Sequence, residues 1–444
     1  MDDTRPVGEC LQMCPVEEQR RRRKQRLVHR LECPPPSEDG RIAVGNTSSS
    51  VSGDPERCHM LKEYQRSAAG KGSTPLCDLR PPSVLLHTVR YLFTRILRRD
   101  DVPRWEAYQF VSGRCRAVLQ DLVIQGLPPP LSIPILEAIV RFHVLMAYEL
   151  CDESVEHFDS RLNAERIQNC FSDLLPLYKD RDVVDLLPMA TGEPVLPSRS
   201  LGDSAVAMAT GRGRGRGRGR GSGTVAATSA AAIPVGGRGR GRAATATAAA
   251  AAAAAAASIR PGNPPGDRTA CNVCTQCRGE VEAAALLQSE DLYLAMTRVL
   301  KLPSIVRSSR PIQCAMQLTR ALLDGNFVRF VRVARLATPL MLCALHPALL
   351  LVRHVALQTM NSAYACRNAK FPAKVVGDWL AADSQRQVEE WCRSLGLEVA
   401  NGDVVFSKTA VAQRSSVLSQ KADILITSSL PPNVLDLLLP SCCC

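Results

Sequence analysis

The sequence predicts a mainly α fold: a stack of consecutive helices, closed near its C-terminal end by a helix–turn–helix–hairpin unit and interrupted by a long disordered insertion. Three observations lead there. Apolar residues recur at helical spacing in successive blocks from Leu85 to Lys179 and again from Ala283 to Cys366. The stretch Phe371–Phe406 carries cap and turn residues in the order helix, turn, helix, tight hairpin. Between the two helical halves, residues 187–280 lose periodicity and turn rich in Gly, Arg and Ala.

The chain opens with residues 1–36, where Gly8-Glu9-Cys10-Leu11-Gln12-Met13-Cys14-Pro15 precedes Glu17-Glu18 and a basic run. Pro15 suits the start of a helix, and acids suit its positive end. Arg20 to Arg30 holds seven basic residues and no acid, fitting a nuclear address, a nucleic-acid arm or a solvated helix face. Residues 37–75 are rich in Ser, Gly and charge and read as a linker.

The first half of the stack covers 76–186. Leu85/Leu86, Val89, Leu92/Phe93 and Ile96 mark one helix. Trp105, Tyr108, Phe110/Val111, Cys115, Val118/Leu119 and Leu122 mark a second, over Arg104–Gln125, which Gly126 and Pro128–Pro130 stop. A third begins at Ser132 and carries Ile135/Leu136, Ile139/Val140, His143 and Met146. His143 lies on its apolar face and is expected to be a hydrogen-bonded core histidine. A fourth runs over Leu162–Lys179, with Pro176 as a candidate bend.

The insertion carries Gly-Arg alternation at Arg212, Arg214, Arg216, Arg218 and Arg220, and ten alanines at Ala248–Ala257. Such sequence cannot bury enough surface to offset its ordering entropy. Gly-Arg repeats can bind RNA through phosphate pairing and stacking, and a tolerated insertion with incidental polyanion affinity is the alternative slightly favoured for this segment. Nine of the chain's twelve net positive charges fall within Ala205–Gly262, so the folded part is close to neutral.

The second half covers 281–366. Ala283 to Leu300 suggests one helix and Ile312 to Leu323 another. Asp324-Gly325-Asn326 turns into a third, on which Phe327, Phe330/Val331 and Ala334 face the core and Arg329, Arg332 and Arg335 face away. The apolar run Leu340–Leu357, interrupted by His346, Pro347 and Arg353, reads as a buried helix pair rather than a membrane span.

In the unit 367–410, Pro372 is placed in the first turn of a helix bearing Val375, Val376, Trp379 and Leu380. Ser384-Gln385-Arg386-Gln387 is a capping box for a second helix with Val388, Trp391, Cys392 and Leu395, and Gly396 stops it. Asn401-Gly402 sets Val399 opposite Val404 and Leu397 opposite Phe406, all on one face. Two helices and a hairpin after an earlier helix is the order of a winged helix. Its second helix sets Arg386 and Arg393 against Glu389 and Glu390, so its polar face is too neutral for groove reading, although Lys370, Lys374 and Lys408 are placed to reach phosphate. Residues 411–444 form a tail.

No phosphate loop, paired metal ligands or nucleophile elbow appears, so no enzyme, cofactor or metal site is expected. Cys10 and Cys14 lack a second pair, and Cys271-x-x-Cys274-x-x-Cys277 lacks a fourth ligand. The 18 cysteines and charged N-terminus, without a signal sequence, suggest a reducing intracellular setting and no membrane.

The landmarks Gly8, Cys10, Met13, Cys14, Pro15 and Glu18, then Asp78-Leu79-Arg80-Pro81, Arg141-Phe142-His143, Phe158-Asp159 and Asn326-Phe327-Val328-Arg329-Phe330 resemble those of the Sac-three/GANP family. The resemblance implies a PCI-like helical-repeat stack capped by a winged helix, acting as a non-enzymatic scaffold. It implies a PCI-domain partner, a small acidic subunit as a second one, and a shared surface that binds RNA weakly. For the small relatives it implies centrosome duplication and spindle assembly; the alternative is mRNA export from the nucleus. The chain departs from the large members in lacking phenylalanine–glycine repeats, an acetyltransferase region and a long centrin-binding helix, so centrin recruitment is not expected.

Overall fold

The computed structural model describes residues 6–34, 59–66, 74–190, 275–365, 369–407 and 423–440. These are mainly helical. A short helix, α1 (Val16–Lys24), precedes α2 (Pro82–Tyr91), which continues through a π-helical turn over Leu92–Ile96. Next come α3 (Arg104–Gln125), α4 (Pro129–Glu149) and α5 (Ser160–Ala190). Beyond the insertion lie α6 (Thr275–Leu287), α7 (Leu292–Leu300), α8 (Ser304–Arg307), α9 (Arg310–Leu323), α10 (Phe327–Ala334) and α11 (Pro339–Tyr364).

Helix α4 is apolar nearly all round and therefore lies inside, packed by α2, α3, α5 and α11. Phe142 at its centre stacks on Phe93 and Tyr108 at centroid distances of 5.3 and 5.8 Å. The next residue, His143, points its Nδ1 at Asn163 Oδ1 (2.8 Å), while Asn163 Nδ2 donates to the His143 carbonyl. Burial lowers the His143 pKa to about 4, so the ring is neutral in the fold.

Helix α11 is the spine. Leu340, Leu342 and Cys343 join the core of the first half, and Met341, Leu345 and Leu349 join that of α6, α7, α9 and α10. Ala356, Leu357 and Met360 join the C-terminal unit. The two helical stretches flanking the insertion belong to one compact unit. By length and composition alone, α4 and α11 could each cross a membrane; 83% and 67% of their apolar windows are buried in this fold.

The C-terminal unit contains β1 (Lys370–Pro372), α12 (Ala373–Leu380), α13 (Gln385–Ser394), β2 (Glu398–Ala400) and β3 (Asp403–Val405). Its antiparallel sheet has the order β1-β3-β2. Two further turns, α14 (Ile424–Thr427) and α15 (Leu435–Leu438), fold back so that Ile426, Leu437 and Leu438 are buried in the first core.

Several expectations are corrected. The Ala283–Leu300 helix is two helices, because the Asp291 carboxylate caps a new start by accepting from Leu294 N at 2.9 Å. The expected helix pair in Leu340–Leu357 is one continuous helix, with Pro347 on its exposed side. Helix α3 ends at Gln125 with Gly126 left-handed, as expected, but α4 starts at Pro129 rather than Ser132; Pro129 and Pro130 occupy its first turn, where a missing N–H costs nothing. Pro372 likewise ends β1 and precedes α12. Residues 59–66, inside the segment read as a linker, bury Met60 and Leu61, and 423–440 of the tail is packed. Helix α5 reaches Ala190 and α6 starts at Thr275, both inside the bounds given to the insertion. Residues 191–274 lie outside the described residues.

Two outcomes follow from this packing. The folded His143 pKa lies below its unfolded value, so the unfolded chain takes up the proton first. Stability contributed by neutral His143 is whole above pH ~6.5 and falls as pH drops toward 4, by up to ~3 kcal/mol, readable in urea midpoints. Burial moves His29 in the same direction. Separately, Trp391 is fully buried at the centre of the C-terminal unit, so Trp391→Ala should cost ~3–5 kcal/mol and release this unit first, seen as lost amide protection in α12 and α13.

Candidate partner and nucleic-acid interface

The C-terminal unit is built by local signals. Ser384 Oγ accepts from Gln387 N at 3.3 Å and starts α13. The Gln387 side chain reaches back to Asp383 N (2.7 Å), one residue before the position a standard capping box uses. At the other end Leu397 N donates to Cys392 O and Gly396 N to Arg393 O, the paired bonds of a Schellman stop. Asn401 (φ 54°) and Gly402 (φ 81°) make the left-handed hairpin turn, and Val399 faces Val404 as expected. Strand β1 adds a third strand that sequence reasoning missed, pairing Phe371 with Val404. Its Pro372 is tolerated because β1 is an edge strand.

The unit is held to the stack at the C-terminal end of α12. Arg353 of α11 is buried and donates to Leu380 O (2.9 Å) and Ala381 O (2.7 Å), pairs with Asp423, and lies 4.8 Å from the Trp391 ring centroid. Arg335 Nη2 donates to Asp378 O at 3.0 Å. Two guanidinium groups thus meet the negative end of one helix. Burial pushes the Cys392 thiol up to about 12, so it is a neutral core group.

Of the expected contact residues, Lys370, Lys374, Arg386 and Arg393 are exposed on this unit. Arg386 is 87% exposed and pairs with Glu390 at 3.2 Å. These four cations share residues 369–407 with six carboxylates: Asp378, Asp383, Glu389, Glu390, Glu398 and Asp403. The unit is therefore not a cationic head. Arg329 and Arg332 are exposed on the neighbouring α10, whose Phe327 packs against the unit. Lys408, Arg212, Arg214, Arg216, Arg218 and Arg220 lie outside the described residues.

The landmark residues do not converge on one site. Most are framework. Gly8 N donates to Gln125 Oε1 (2.9 Å), and a Cβ there would stand 2.3 Å from Leu79 O. Cys10 N donates to Leu79 O; Met13 O accepts from Lys62 N and Arg80 Nη1. Cys10 and Cys14 are buried, and burial raises both thiols. Pro15 precedes α1, and Glu18 Oε1 accepts from Glu63 N. Arg141 joins Glu280 and the carbonyls of Cys277 and Leu437. Asn326 Oδ1 caps α10 through Arg329 N, and Phe330 is buried. Cys277 lies buried in α6, while Cys271 and Cys274 fall outside the described residues. Among the described residues, no group of three or more His, Cys, Asp or Glu side chains is placed to hold a metal ion.

Sequence reasoning missed Arg353, Asp423 and the network Lys62–Asp121–Arg80, with bonds of 2.6 and 2.7 Å. A lone cation inside the apolar run Leu340–Leu357 was the readable sign for Arg353.

A family model described as SAC3/GANP family matches residues 13–189 and 267–401, more than half of the chain. The chain is similar to SAC3 family protein 1 of Schizosaccharomyces pombe, at 29% identity over 175 residues. It is also similar to Protein xmas of Drosophila melanogaster (32% over 181) and to SAC3 family protein B of Arabidopsis thaliana (29% over 180). Each match covers 39% of this chain but only 15%, 8% and 10% of the respective relative, so the chain spans a small part of their lengths. The family match takes in both helical halves and most of the C-terminal unit, and the chain belongs to the SAC3/GANP family.

Proposed function

We propose that this protein is a non-enzymatic scaffold that docks a PCI-type partner through residues 369–407, read as a winged helix capping a PCI-like stack. The observation that carries the reading is the charge of that unit. Its helix–helix–hairpin order is that of a nucleic-acid-binding head, yet six carboxylates offset four cations, and Arg386 is engaged by Glu390. Phosphate binding is governed by net cationic contacts, so a unit of this composition is a poor reader on its own. Its exposed faces suit a protein partner instead, with nucleic-acid contact shared across the pair. A small acidic subunit is a second candidate partner.

The setting we favour is mRNA export from the nucleus, which the family resemblance implies. A second reading, centrosome duplication and spindle assembly, rests on the resemblance to the family's small members and uses the same scaffold. Following a tagged chain through mitosis separates the two: a nuclear-rim signal supports export, and a persistent centrosomal signal supports the second.

Docking itself is tested by charge reversal. Arg386→Glu with Arg393→Glu should leave the melting temperature within about 2 °C, because exposed ion pairs contribute only ~0.2–1 kcal/mol. Capture of a purified PCI-domain partner by the full chain should fall at least ~10-fold, as expected for a loss of 1.4 kcal/mol or more. Unchanged capture by a folded variant would remove this helix from the interface.

A further inference from the structure

Among the described residues one cysteine departs from the rest. The others are thiols, and burial pushes those of Cys170 and Cys392 up to about 12. Cys33, in contrast, is disulfide-bonded and half-exposed. It follows the 3₁₀ turn Arg30–Glu32, and its backbone is held on both sides. Cys33 N donates to Arg30 O at 3.2 Å, and Cys33 O accepts from Arg99 Nη1 at 2.7 Å. In a chain whose other described cysteines stay reduced, a disulfide within reach of solvent is of the exchanging, redox-sensing kind rather than the permanent kind of secreted proteins.

The chain on either side identifies the partner. Among the described residues no second cysteine is in a disulfide, and residues 35–58 lie outside them. Where the chain resumes, His59 N donates to Glu32 O at 2.8 Å, so the backbone has come back to the residue just before Cys33. Cys58 is the residue just before His59. Successive α-carbons are about 3.8 Å apart and a disulfide spans roughly 4.4–6.8 Å between them, so the two residues flanking a bonded pair are within bonding reach. What such a link holds is on view. Leu61 N donates to Glu32 Oε1 at 2.9 Å, and Glu63 N to Glu18 Oε1 of α1 at 2.9 Å. Between them Lys62 Nζ donates to Asp78 O and to Asp121 Oδ1 of α3, each at 2.6 Å. Residues 59–63 thus join α1 to α3 without a helix or strand of their own. Closing the loop 34–57 removes chain freedom that favours their release.

We propose that Cys33 and Cys58 form an exchangeable disulfide, opened by low-molecular-weight thiols of the glutathione class and closed by their disulfide, that sets how firmly residues 59–63 hold α1 to the stack. In opening, a glutathione thiolate attacks one sulfur, the Cys33–Cys58 bond breaks, and the other cysteine leaves as a thiolate that takes a proton. A second glutathione thiolate attacks the mixed disulfide, frees the remaining cysteine and forms glutathione disulfide. Two thiols are oxidised as one disulfide is reduced. The site does not rest on the partner reading of the C-terminal unit. The test uses the full chain, quenched in acid, alkylated and digested with trypsin without reductant. After incubation with glutathione disulfide, peptide 31–41 should be joined to peptide 58–62. With excess reduced glutathione the two should be recovered separately and alkylated, and reoxidation should join them again. Amide exchange at 59–63 should quicken at least ~10-fold on reduction, and by the same factor in Cys33→Ser, Cys58→Ser and the double variant, with α4 unchanged. A link from Cys33 to a different cysteine overturns the proposal. So does the absence of any link after oxidation, a link that glutathione leaves intact, or exchange at 59–63 that is the same in both forms.

Discussion

The structure depends on one buried guanidinium. Arg141 sits in α4, the helix enclosed by the rest of the first half, and reaches partners from two distant parts of the chain. It pairs with Glu280 at 2.6 Å and donates to Cys277 O, 139 and 136 residues later, and it donates to Leu437 O 296 residues later. A chain that leaves its core at α5 and returns only at α6 needs a directional contact to set the register of the return. Apolar packing alone tolerates rearrangement, whereas a buried cation must find its acceptors or bear a desolvation cost of several kcal/mol. Nearby, Arg278 of α6 grips Asp182 of α5 at 2.8 Å, and Arg298 of α7 meets the buried Glu282 at 3.0 Å. The point where the insertion leaves and rejoins is thus pinned on both sides. Loop-closure entropy rises only slowly with length, so a long insertion there is cheap.

The same device recurs where the C-terminal unit joins the stack. Arg353 ties α11 to the end carbonyls of α12 and to Asp423 of the returning tail. The tail residues 423–440 therefore brace both joints: Asp423 at the C-terminal unit and Leu437 at the seam of the two halves. At the N-terminal side, Asp121 collects Lys62 and Arg80, and Glu32 collects Arg22 and Arg114. Each buried arginine anchors a segment that is not contiguous with the core it lies on.

What is legible in the sequence divides along the same line. The helix–turn–helix–hairpin order follows from residues that act on their neighbours, such as Ser384, Gly396 and Asn401-Gly402. The helical blocks follow from periodicity. Strand β1 is not legible, because Lys370-Phe371-Pro372 is three residues long, contains a proline and exists only by pairing with β3. The break between α6 and α7 hides because apolar spacing runs across it, although Asp291 marks the new cap. Arg22 looks like its neighbours in a basic run; apart from Glu18 one turn before it, its partners Glu32, Glu63 and Leu61 O are distant in sequence, and nothing local announces them. At the candidate interface the exposed cations are legible, while their setting among carboxylates and their anchoring through Arg353 and Arg335 are tertiary facts.

The central claim is that buried arginine contacts make the interrupted halves and the returning tail one cooperative body. Amide hydrogen exchange on the full chain carrying Arg141→Ala tests it most directly. The account predicts that α6 and α15 lose protection together with α4, by an amount near the ~3–5 kcal/mol cost of breaking a buried pair. Loss confined to the turn of α4 around residue 141, with α6 and α15 protected as in the parent, would contradict it.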